Sequence, residues 1–266
     1  MKVLEKLMLV LCVFLLLGTG PAMALDFGVN ITIPDNNNSS SHDWYGNRED
    51  QEVEPGMVHT QVWDLEGFFL KGATLSVVGG YNFRTGQDGY KAGDIFIDVD
   101  GGAQYGDIHG TGVNGNTIVN DTFGYDYVLD LDFCTNSTNN TYNYKVYSLK
   151  GININPTTKT AYYTENYGSN PWIYVDGGTF IKSGTFTFMS ELTNAQTGFF
   201  GGSHYAMTGF DLSFLPNLDF IVHTTMGCGN DNLMGQNPVP EPATMLLLGT
   251  GLMGLAGIGR KKLFKK

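Results

Sequence analysis

Between Tyr125 and Phe133 the side chains alternate in kind at every position but Val128. Tyr125, Tyr127, Leu129, Leu131 and Phe133 fall on one parity, and Asp126, Asp130 and Asp132 on the other. A period of two, with large apolar groups one way and carboxylates the other, describes a strand with one buried face. It does not suit an amphipathic helix, whose apolar positions recur every three to four residues. The same habit recurs along the chain. Phe210, Leu212 and Phe214 alternate with Asp211 and Ser213. Leu218, Phe220, Val222, Thr224 and Met226 alternate with Asp219, Ile221, His223 and Thr225. Gln61–Leu70 and Ala73–Phe83 flank Lys71-Gly72 as a hairpin. Further runs at Asp94–Val99, Tyr142–Leu149, Trp172–Val175 and Thr179–Met189 bring the expected strands to about nine. Gly, Asn and Asp turns separate them, and no helix of useful length is evident between residues 25 and 240. The expected fold is all-β, an antiparallel β-sandwich or jelly-roll-like domain.

The two ends of the chain follow other rules. Lys2 and Lys6 precede the apolar stretch Leu7–Leu17, and Pro21-Ala22-Met23-Ala24 offers a small-residue cleavage site. This is the pattern of a secretory signal peptide over residues 1–24. At the other end, Val239-Pro240-Glu241-Pro242 is followed by an uncharged stretch from Ala243 to Gly259 and then by Arg260-Lys261-Lys262-Leu263-Phe264-Lys265-Lys266. Those 17 uncharged residues would span about 25 Å as a helix, close to the roughly 30 Å hydrocarbon core of a bilayer. The expectation is a minimal transmembrane helix, with its basic end held cytoplasmic. Pro240 and Pro242 favour an extended backbone before it, a shape a protease can bind as a strand.

Motif, apolar stretch, basic cluster and terminal position together resemble the PEP-CTERM sorting signal. That resemblance covers roughly a tenth of the chain. It implies that a membrane-embedded exosortase recognises Pro240, Glu241 and Pro242 and removes the tail. It also implies that Arg260, Lys261 and Lys262 act as a retention cluster. These are substrate features, not catalytic ones. The expected organisation is a signal peptide over 1–24, a β-sandwich ectodomain over 25–226, a linker over 227–238 and the sorting signal over 239–266. The domain would stand outside the cytoplasm, first anchored in the inner membrane and then delivered to the envelope or extracellular matrix.

Charge narrows the partners. Without the signal and the tail, 8 of the 15 basic residues and 24 of the 26 acidic residues remain, a net charge near −16. Such a surface repels nucleic acid and other polyanions unless cations bridge them. It suits a soluble surface protein, a calcium binder or a partner of neutral sugars.

Candidate chemistry is sparse. Asp94, Asp98, Asp100 and Asp107 surround a Gly-rich turn, and alternating carboxylates there could give calcium the oxygens it requires. The third acid and the terminal Glu of an EF-hand loop are missing, and a common face requires an undisturbed strand. Cys134 and Cys228 survive export and are the candidate disulfide pair in an oxidising compartment. Trp172, beside Pro171 and Tyr174, is the best placed aromatic for stacking on a sugar ring. Two acidic runs, Arg48–Pro55 and Trp63–Gly67, contain the paired carboxylates that glycoside hydrolysis uses, with nothing in the sequence to set their separation. The five histidines lack metal-ligand spacing, and no nucleophile elbow, phosphate loop or dinucleotide fingerprint occurs.

The expected function is therefore that of a non-enzymatic surface or matrix protein, structural or adhesive in role. Its expected partners are an exosortase, the inner membrane and exopolysaccharide, and nucleic acid is not among them. No cofactor beyond calcium is expected. A secreted polysaccharide-active enzyme of glycoside hydrolase type, delivered the same way, is the alternative.

Overall fold

The computed structural model describes residues 23–34, 49–54, 57–103, 117–120, 123–134, 139–151, 154–161 and 170–238. The expected signal peptide up to residue 22, Asp107, the Pro240-Glu241-Pro242 motif, the apolar stretch and the Arg260, Lys261 and Lys262 cluster lie outside the described residues. No helix among the described residues is long and apolar enough to cross a membrane.

The architecture is all-β and antiparallel. In chain order the strands are β1 (Val29–Asn30), β2 (Leu65–Lys71), β3 (Thr74–Gly79), β4 (Ile95–Asp98), β5 (Ile118–Asn120), β6 (Tyr127–Asp132) and β7 (Thr141–Ser148). They continue with β8 (Thr157–Lys159), β9 (Ile173–Asp176), β10 (Thr179–Leu192), β11 (His204–Asp211), β12 (Phe220–Thr225) and β13 (Asn232–Asn237). A 3-10 turn at Gln61–Trp63 precedes β2, and a single helical turn, α1 (Asn194–Thr197), follows β10. Ten strands form one sheet in the order β1-β2-β3-β11-β10-β7-β6-β4-β12-β13, and β5, β8 and β9 form a second.

The large sheet closes on itself instead of splitting into the two stacked layers of a sandwich. The segment around β1 supplies the seam. Val29 pairs with Leu70 of β2, and the Ile31 N–H donates to Phe68 O at 2.9 Å. On its other edge the same segment meets β13. Ile33 N–H donates to Met234 O, Gln236 N–H donates to Ile31 O at 2.8 Å, and Thr32 bridges Gly235. Phe68 N–H is satisfied by Thr32 Oγ1 at 2.9 Å. Both sheet edges thus find partners, which removes the open edges that a curled sheet would otherwise expose. Gly235 suits this seam, because a Cβ there would stand 2.9 Å from Val222 Cγ1 and 3.1 Å from Phe68 Cβ.

Alternation now sorts the side chains. Phe68, Val77, Ile95, Ile97, Leu129, Val146, Phe186, Phe210, Val222 and Leu233 point inward and share one core. On the outside, Phe96, Phe123, Tyr125, Val128 and Leu149 form a second cluster, with Val119 of β5 and Tyr174 of β9 against it. A third cluster joins Phe27, Val78, Leu192 and Ala206, with Phe69 and Phe199 at its border. Tyr127, Leu129 and Leu131 face inward as their parity requires, whereas Tyr125 precedes the strand and packs outside on Phe96 and His223.

The segment expected as a linker, 227–238, is a turn followed by β13. Asn232, Leu233 and Met234 are buried there, and β13 pairs with β12 from Thr225↔Asn232 to Phe220↔Asn237. The last strand of the barrel therefore ends at Asn237.

Candidate acidic site

The two acidic runs meet beside the barrel seam. Glu66 is carried by β2 at a bulge between Leu65 and Gly67, which re-aims the strand locally. Asp64 stands at the entrance to β2, after the 3-10 turn. The segment 49–54 folds against both. Its turn puts Gln51 at φ 66°, and Gln51 N–H donates to Asp64 Oδ2 at 3.0 Å. Both oxygens of Asp50 accept from Phe200 N–H at 3.2 Å. Asp50, Asp64 and Glu66 each bring a carboxylate oxygen to within 4.8 Å of the others. A cavity of about 440 Å³ opens alongside, lined by Thr32, Glu49, Asp50, Glu66, Phe199 and Phe200.

Glu66 and His204 are both without exposure, and His204 Nδ1 lies 2.7 Å from Glu66 Oε1 and 2.9 Å from Oε2. Neighbouring bonds fix the tautomer. Asn194 Oδ1 accepts Gly202 N–H at 2.8 Å, so it is the oxygen of that amide, and it lies 2.9 Å from His204 Nε2. Nε2 must then carry a hydrogen. A neutral ring presents Nδ1 as an acceptor, so the Glu66–His204 contact holds one proton. Burial raises the Glu66 carboxyl to about 9, with Asp50 adding to the shift, against a lowering bond from Gln61. Burial also holds His204 below its ordinary value. Both shifts place the shared proton on Glu66. Gln61 Nε2 donates to Glu66 Oε1 at 2.7 Å. Gly201, at φ 112°, leaves the space that Gln61 fills, since a Cβ there would collide with the carboxamide at 1.4 Å.

Asp64 is wholly buried, and its carboxyl is pushed well above the usual range by burial and then by the neighbouring Glu66. Among the described residues its Oδ1 has no hydrogen-bond partner.

The sequence-derived calcium candidates are arranged differently. Asp94 is buried on β4's outer approach, and its two oxygens accept from Leu131 N–H at 2.9 Å and Tyr174 N–H at 2.8 Å. It ties the small sheet to the barrel. Asp98 caps the turn after β4, accepting N–H bonds from Asp100, Gly101 and Gly102 on Oδ1 and from Ala103 on Oδ2. Asp98 and Asp100 come together with Asp126, not with Asp94. There Lys150 Nζ already bridges Asp100 at 2.7 Å and Asp126 at 2.9 Å.

Two further expectations are corrected. Cys134 and Cys228 are free thiols, not a disulfide, the first exposed and the second in the core. Burial pushes the Cys228 thiol up to about 11. Trp172 does not offer a face to a sugar. It is 9% exposed, packs on Gly227, and its Nε1 donates to Lys91 O at 3.2 Å. His223 is likewise a core residue, stacked on Tyr125 and bonded through Nε2 to Pro171 O at 2.9 Å.

His204, Gln61 and Asn194 were not singled out in the sequence as members of a site. His204 lies 138 positions from Glu66, and no local spacing links them.

Residues 238–261 match the family model of the PEP-CTERM protein-sorting motif. That motif directs exosortase-targeted sorting to the cell surface. No curated protein and no solved structure matches the chain.

Proposed function

We propose that this chain is the exported precursor of a cell-surface or matrix protein. Its apolar tail holds it in the inner membrane, an exosortase cuts near Pro240-Glu241-Pro242, and the β domain passes to the envelope or exopolysaccharide. The observation that carries this reading is the sorting-motif match, which begins at residue 238, directly after β13 ends at Asn237. Only residues 238–242 separate β13 from the apolar stretch that starts at Ala243. Fully extended, so short a connection reaches no more than about 18 Å. Before cleavage the barrel would rest against the membrane surface. A cut anywhere beyond Asn237 leaves every barrel strand in place.

The role after delivery is structural or adhesive, with sugar or calcium contact on a strongly acidic surface. The arrangement of Asp50, Asp64 and Glu66 favours this over the glycoside hydrolase alternative. Glu66 is without exposure and is engaged by His204 and Gln61, which leaves it poorly placed to meet a sugar.

Glu241→Ala tests the reading. In the native cell the variant should keep its full length and fractionate with the inner membrane, while the wild type is shortened and leaves it. Processing of the variant at the wild-type rate contradicts the proposal.

A further inference from the structure

We infer that Asp50, Asp64 and Glu66 form a binding site for one divalent cation of the calcium class. The inference rests on the geometry of the acidic site and is independent of the sorting reading.

Three observations carry it. The first is spacing. Two oxygens bound to one calcium at 2.3–2.6 Å stand no more than about 5 Å apart, and the three carboxylates meet within 4.8 Å. The second is Asp64 Oδ1. It belongs to a side chain with no exposure, and among the described residues nothing donates to it. A buried carboxylate oxygen left without a donor is costly, and a cation satisfies it directly. The third is charge and space. Among the described residues no lysine or arginine side chain lies against Asp64 or Glu66. The adjoining cavity of about 440 Å³ has room for the water ligands that would complete the coordination shell.

The donor set selects the class of ion. The three ligands are hard oxygens. Both nitrogens of His204 are engaged, Nδ1 by Glu66 and Nε2 by Asn194. No thiol belongs to the group, so nothing favours zinc or copper. The second acidic group, Asp98–Asp100–Asp126, holds the Lys150 ammonium where a metal would lie. A bound ion would also fasten the 49–54 segment, which brings Asp50, to β2, which brings Glu66.

The test is calcium titration of the full-length protein in detergent, after chelator treatment and removal of the chelator, followed by calorimetry and by thermal unfolding. The expected result is one calcium per chain and a melting temperature that rises with calcium concentration. Asp64→Asn should weaken binding roughly tenfold or more, and so should Asp50→Asn, whose half-buried position spares the fold if the first variant does not express. Asp100→Asn should leave binding unchanged. Absence of calcium binding by the wild type overturns the inference. So does undiminished binding by both Asp50→Asn and Asp64→Asn, or loss of binding in Asp100→Asn alone.

Discussion

His204 Nδ1 sits 2.7 Å from one oxygen of Glu66 and 2.9 Å from the other, with both side chains sealed from solvent. A protonated carboxyl held against a neutral imidazole has a direct consequence for stability. Glu66 moves from its ordinary value of 4.5 to about 9, so between these values the native protein keeps a proton that the unfolded chain has lost. Stability therefore falls as pH rises through that window. His204, held below 6.5, gives the opposite slope only in the acidic range. Thermal unfolding of chelator-treated protein from pH 7 to about 9 should show the decline. Glu66→Gln should make it shallower, Asp64 and Asp94 being raised in the same direction, and an equally steep variant contradicts the proton assignment.

Leu233 is wholly buried in β13. Replacing it by Ala should cost about 2–5 kcal/mol in urea unfolding, as a core truncation does. A linker residue would show no effect, so an unchanged midpoint would deny β13 its place in the barrel.

Asp94 joins the small sheet to the barrel through Leu131 and Tyr174. In Asp94→Ala both N–H groups lose their acceptor, at about 1–3 kcal/mol each. Hydrogen exchange should quicken at β8 and β9 while the barrel core stays protected. Uniform exchange across the molecule would show that the two sheets open as one unit.

Thiol reagents should modify Cys134 in the folded protein and reach Cys228 only after denaturation, given the exposure of one and the core position of the other. Equal labelling rates contradict that placement.

Strands were legible where they alternate or where they are rich in apolar and β-branched residues, as Ile95–Asp98 is. In β6, Tyr127, Leu129 and Leu131 turn inward while Asp130 stays half-buried outside, and the sequence shows that alternation directly. β13 escaped because it is buried without alternation and, unlike β4, carries few β-formers: its Asn, Gly and Gln content suggests a spacer. β1 pairs over two residues only and is recognisable solely by the seam it closes. Sheet closure itself depends on the bonds of Ile31 to Phe68 and Gln236 and of Ile33 to Met234, which no local pattern reports. The acidic site was half visible. Both runs stood out by charge, but the bulge at Glu66 and the Phe200 N–H that anchors Asp50 arise only from tertiary pairing. Trp172 was misjudged for a related reason. Its neighbours Pro171 and Tyr174 suggest a surface turn, yet Gly227 comes from the β12–β13 turn and covers its ring.

The most direct test of the account is the intact mass of the mature protein recovered from its native cell, measured with its location. The account expects a chain that begins near Leu25, ends close to Pro242 and is found in the outer envelope or matrix. A chain that still carries the apolar stretch and the Arg260-Lys261-Lys262 cluster, recovered from the inner membrane, would contradict it.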